Sequence, residues 1–93
     1  MHDRRIQRLE VFLHPGRSSG EAARTLAQDL RSIFPALEIM IQELPEARNR
    51  AETVGVFTVP AFALDGAVFA IGVPTEDWLV QKLRENSRRG ESE

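Results

Sequence analysis

The sequence predicts an α/β (α+β) domain of order β-α-β-α-β-β-α, with a four-stranded mixed sheet and helices on both faces. The first half reads as strand, amphipathic helix, strand, a unit whose strands run parallel and whose crossover is right-handed. The second half holds two apolar runs around Asp65-Gly66, the dipeptide that most strongly specifies a tight antiparallel hairpin. A short polar helix joins the halves, and an amphipathic helix follows the hairpin.

From Ile6 to His14, "IQRLEVFLH" sets Leu9, Val11 and Leu13 on one side and Glu10, Phe12 and His14 on the other. That predicts a strand whose second half is buried on both faces. Pro15-Gly16 then punctuates the chain. Ser18 with Glu21 three residues later has capping-box spacing, which predicts a helix starting at Ser18 with that serine as its cap. Ala22, Ala23, Leu26, Ala27, Leu30, Ile33 and Phe34 recur at helical spacing, and Pro35 ends the helix.

"ALEIMIQEL" alternates Leu37, Ile39 and Ile41 against Glu38, Met40 and Gln42, a second strand. Residues 45–53, "PEARNRAET", predict a short polar helix with Pro45 in its first turn. "VGVFTVP" leads into the hairpin "AFALDGAVFAIG". Thr75 is the expected N-cap of the last helix, with Glu76 and Asp77 in its first turn and Trp78, Leu79 and Leu83 turned inward. There is no internal repeat or linker, so residues 1–93 form one domain with its core at about 6–85. Residues 1–5 and 86–93 are polar tails expected to fray.

Composition narrows the function classes. Hydrophobic residues at 42% and charged residues at 28% are ordinary for a globular domain. A net charge of −2 gives no electrostatic reason to expect nucleic acid or an anionic membrane as partner. No apolar run approaches the roughly 20 residues of a membrane span, and the start "MHDRRIQR" is charged, so a cytoplasmic location is the expectation. The chain has no cysteine, which excludes disulfides, thiolate metal sites and thiol catalysis by its own side chains. His2 and the spacing of the acids suggest no metal-ligand cluster.

His14 lies near Ser18 and Ser19 in sequence, but a serine hydroxyl stays protonated without a strong base beside it, and no acid stands ready to orient the imidazole. The expectation is a capping serine and a strand-end histidine, with no catalytic residue. A binding role is easier to build. The first turn of the helix offers free N–H groups and a positive dipole end, and Arg17 adds a bidentate cation that suits a carboxylate or phosphate.

Two segments resemble a known family. "VGVFTVPAFALDG" is similar to the part of thioredoxin-like proteins in which Thr-Val-Pro or Ser-Val-Pro opens the third strand, and "AIGVPTEDWLVQKL" resembles the end of small thioredoxin- and glutaredoxin-like members. The resemblance covers residues 6–85 and implies the thioredoxin-like superfamily, with a cis Val59–Pro60 peptide. Where the family carries Cys-x-x-Cys after a similar strand, counting places the cysteines at Arg17 and Gly20. It also implies that backbone beside the proline can pair with an extended peptide or with glutathione.

The expected function is therefore a redox-inactive binding module. Its ligand-binding residues are Arg17, Ser18, Ser19, Gly20, Thr58, Val59 and Pro60, and it needs no cofactor. The partner is a protein or peptide, or a second copy joined through a sheet edge. One alternative is a binder of glutathione or a similar anionic thiol, against which the acidic Thr75-Glu76-Asp77 stretch counts. The other is a non-thiol enzyme of transferase type using Ser18 or Ser19 to activate a bound thiol. Phe57 is equally placed to be an apolar lip or core, and Trp78 reads as core before it reads as a binding surface.

Overall fold

The computed structural model describes residues 7–91, with side chains through residue 86. The tail at 1–5 and the strand's expected first residue, Ile6, lie outside the described residues, as do residues 92–93. The elements are β1 (Arg8–Leu13), α1 (Ser18–Ile33), β2 (Glu38–Glu43), α2 (Arg48–Val54), β3 (Ala61–Leu64), β4 (Ala67–Ile71) and α3 (Glu76–Glu91). They build one four-stranded sheet of order β2-β1-β3-β4. β1 runs parallel to β2 and antiparallel to β3, and β3 and β4 form the hairpin.

Strand alternation sorts the apolar residues onto two faces. Leu9, Val11, Leu13, Phe62 and Leu64 meet Ala23, Leu26, Ala27 and Leu30 of α1 and Leu79 and Leu83 of α3. On the opposite face Phe12, Ala61 and Ala63 meet Ala51 of α2 and Val56. Helices therefore cover both faces, two on one side and α2 alone on the other, and β1 is buried on both.

The hairpin closes through Asp65 (φ 51°) and Gly66 (φ 85°), both left-handed, as a two-residue primed turn requires. Asp65 also clamps the start of β1, donating to the Arg8 carbonyl at 2.8 Å and accepting from the Arg8 N–H at 2.8 Å. The β3–β4 register slips at Phe62/Ala63, leaving Phe69 as the extra, bulged residue of β4.

Several details depart from the sequence expectations. Pro45 is not in the first turn of α2: the Leu44–Pro45 peptide is cis, and Pro45 sits in the turn before a helix that begins at Arg48. Trp78 does not turn fully inward. It is 40% exposed, because α3 presents its first turn to the edge of the sheet, where the indole stacks on Phe69. α3 itself runs from Glu76 to Glu91, with the Asn86 amide donating to the Lys82 carbonyl at 3.0 Å. Thr75 caps α3 as expected, its hydroxyl accepting from the Trp78 N–H at 3.2 Å. No described helix is long and apolar enough to cross a membrane.

Candidate functional site

Register alone gathers the site. Phe12 lies opposite Ala61, and Ala61 opposite Ile71. The end of β1, the start of β3 and the end of β4 therefore meet at one end of the sheet, where Gly72 donates to the Pro60 carbonyl at 2.7 Å. The segments 14–17, 57–60 and 72–74 lie beside one another there, with the N-terminus of α1 above them.

The first segment leaves β1 through Pro15 and Gly16, whose φ of +86° needs the freedom of glycine. Arg17, not Ser18, is the N-cap of α1, and no side chain caps the first turn. Ser18 falls inside the helix, and Glu21 reaches two residues further back than capping-box spacing implies, accepting from the Gly16 N–H at 3.2 Å. That bond, followed by Arg24, holds the Glu21 carboxyl below its usual range. Arg17, Ser18 and Ser19 are exposed. Among the described residues no hydrogen bond joins His14 to Ser18 or Ser19, so no Ser–His pair forms in this arrangement.

Gly20 is different. It is buried, and a β-carbon built on it would lie 2.3 Å from the His14 carbonyl oxygen and 3.3 Å from its carbon. Position 20 belongs to the packing of α1 on β1, buried while Arg17, Ser18 and Ser19 are exposed.

The second segment begins where α2 ends. Gly55, at φ +93°, donates to Ala51 and Glu52 while Val56 donates to Ala51 at 2.8 Å, the paired bonds of a Schellman motif. The motif buries Val56 beside Ala51 and swings the next residue outward, leaving Phe57 91% exposed. Thr58 is exposed, Val59 packs partly on the α2-side core, and Pro60 is buried behind a cis Val59–Pro60 peptide. Among the described residues the backbone N–H groups of Phe57, Thr58 and Val59 have no partner. Exposed Ile71 and Val73, on the third segment, extend an apolar rim that residue types alone did not mark out.

The sequence reading also missed a buried carboxylate. Glu10, 1% exposed in the middle of β1, takes a two-pronged bond from Arg50 of α2, at 2.7 Å to each oxygen, and a third from Gln42 of β2 at 2.8 Å. Arg50, ahead of the opposing effect of burial, holds the Glu10 carboxyl below its usual range. The signal was present: an acid between Leu9 and Val11 in a doubly buried strand needs a cation. Its place under α2 makes it an anchor for the helix that delivers Phe57.

No family model matches the chain. Thioredoxin from Methanocaldococcus jannaschii is 27% identical over 78 residues, spanning 83% of this chain and 92% of that protein. Trypanosoma brucei brucei thioredoxin superposes with a TM-score of 0.75 at 17% identity, over 89% of this chain and 76% of that one. Oxidised mitochondrial thioredoxin 3 from Saccharomyces cerevisiae gives 0.71 at 17% identity, over 85% and 77%. This is a thioredoxin-like chain. Its fold matches the one implied by the Thr58-Val59-Pro60 and Asp65-Gly66 segments. The chain has no cysteine at Arg17 or Gly20, the positions that counting from the resemblance gives for a Cys-x-x-Cys pair.

Proposed function

We propose that this thioredoxin-like chain is a redox-inactive binding module that receives an extended peptide segment along Phe57–Pro60, next to Arg17. Thiol–disulfide exchange needs a thiolate, and the chain supplies none. The observation that carries the reading is the Phe57 ring, 91% exposed beside backbone N–H groups that have no partner among the described residues. A large apolar side chain held out by a Schellman turn loses hydration only when something covers it. The neighbouring N–H groups offer an extended segment the main-chain bonds of strand addition. Arg17, at an open helix N-terminus, suits a carboxylate on that segment. In this reading Ser18 and Ser19 are exposed first-turn residues without a base, and no enzymatic step is assigned to them.

The test is calorimetric titration with an acetylated Val/Thr octapeptide, the same peptide bearing a central Glu, and glutathione. Both peptides should bind, the Glu peptide more tightly, and Phe57→Ser should weaken both by roughly tenfold, about 1.4 kcal/mol. Arg17→Ala should remove only the advantage of the Glu peptide. Peptide binding indifferent to Phe57, or none at all, overturns the proposal; tight binding of glutathione alone would favour a small-thiol binder instead.

A further inference from the structure

The two outer strands of the sheet are finished differently. On β2, Glu38 and Glu43 pair with Arg8 at 3.2 Å and Arg24 at 2.6 Å. Glu38 and Leu44 point their N–H groups into the sheet, at Gln7 and Leu13, so Ile39 faces outward, and its carbonyl accepts from the Arg31 guanidinium at 3.2 Å. Charge and a side-chain hydrogen bond guard that edge.

Among the described residues β4 has neither device. Ala67-Val68-Phe69-Ala70-Ile71 contains no polar side chain, and Ile71 is 66% exposed. Because Gly72 bonds to Pro60 and antiparallel pairs alternate, Ile71 turns both backbone groups away from β3. The bulge sends Phe69 onto Trp78, with ring centroids 6.3 Å apart and 10° between planes, which sets the first turn of α3 beside the strand. That turn carries exposed Glu76 and Asp77, while exposed Asp65 stands at the hairpin end. Among the described residues the cations near these acids are engaged elsewhere: Lys82 lies over the Trp78 ring at 5.7 Å and meets Glu85 at 3.7 Å, while Arg8 and Arg50, which line the same hollow as Asp65, pair with Glu38 and Glu10. The edge is apolar along its length and acidic at both ends.

We propose that the β4 edge accepts an extended strand of a partner protein, apolar in its middle and carrying Lys or Arg at its ends. Outward backbone groups supply main-chain pairing, Ile71 the apolar contact, and Asp65, Glu76 and Asp77 the charge match. Pairing with a second copy is the poorer fit: two antiparallel β4 strands would set Asp65 of one against Glu76 and Asp77 of the other. The partly exposed Trp78 ring also offers an arginine a face to stack on.

The test is an NMR titration of labelled protein with the peptide Lys-Arg-Val-Thr-Val-Thr-Val-Lys-Arg and with its twin carrying Glu in place of every Lys and Arg. Expected are saturable shifts at the Val68 and Ile71 amides with the basic peptide, at least about tenfold weaker with the acidic twin and weakened by salt. Ile71→Lys, a change at a solvent-facing side chain, should weaken the basic peptide by about tenfold. Glu76→Gln with Asp77→Asn should do so by a few-fold and leave the strand intact. Shifts confined to Thr58 and Val59, an equal response to both peptides, self-association through Val68 and Ile71 without peptide, or no response would each overturn the proposal.

Discussion

A β-carbon on Gly20 would sit 2.3 Å from the carbonyl oxygen of His14, an approach that packed atoms do not make. The obstacle is main chain, so no rotamer relieves it, and the first turn of α1 rests directly on the end of β1. Gly20→Ala and Gly20→Cys should each cost about 1–3 kcal/mol of stability as an overpacked contact. Arg17→Cys, at an exposed N-cap, should stay within about 0.5 kcal/mol of the parent. Urea unfolding measures both, and a Gly20→Cys midpoint equal to the parent's would show that α1 lifts off β1 at no cost.

Glu10 and Arg50 make a second stability prediction. Arg50→Met leaves a buried carboxylate with only Gln42, a loss of about 3–5 kcal/mol for a fully buried pair. The Arg50 side chain is 40% exposed, so solvent screening lowers the loss below that of a fully buried pair. The pH dependence follows from the lowered carboxyl. The pair's stabilisation is present above the unfolded value of about 4.3 and is lost as pH falls through the lower folded value. Glu10→Gln should flatten that acid limb. Unfolding midpoints from pH 7 to pH 3 check this, and parallel curves for the two proteins would contradict it.

Phe57→Ser should leave stability within about 0.5 kcal/mol of the parent or raise it slightly, since the ring is already in water. Peptide binding should fall in the same variant. Thermal unfolding beside the titration separates the two, and a loss above about 2 kcal/mol would mean that the ring packs in solution.

Asp65→Ala should cost about 1–2 kcal/mol, because a β-carbon at φ 51° loses the side chain's local compensation and the Arg8 N–H loses its acceptor. Asp65→Asn should recover most of that. Hydrogen exchange at Arg8 reads the clamp directly: unchanged protection in the alanine variant would contradict the assignment.

Much of this was legible in the residues. Period-2 and helical spacing placed β1, α1 and β2, because burial on a strand or helix face depends on spacing that the sequence displays. Asp65-Gly66 gave the hairpin, and Thr75 the last cap. What was not legible depends on contacts between distant segments. Gly20 looked like an open loop glycine until α1 was seated on His14. Pro45 looked like a helix starter, but the chain spends four residues, 44–47, turning off β2 before α2 begins at Arg48. Phe57 could not be assigned to core or surface without the Schellman turn, which Gly55 permits but does not announce. The contrast between the guarded β2 edge and the bare β4 edge needed the strand order.

One measurement bears most directly on the binding role: the amide shift map of the labelled protein titrated with the Glu-bearing Val/Thr octapeptide. The expected result is saturable shifts at Arg17 to Ser19 together with Phe57, Thr58 and Val59, all fitting one dissociation constant. Silence at both segments while the peptide is in excess would contradict a binding groove at this end of the sheet.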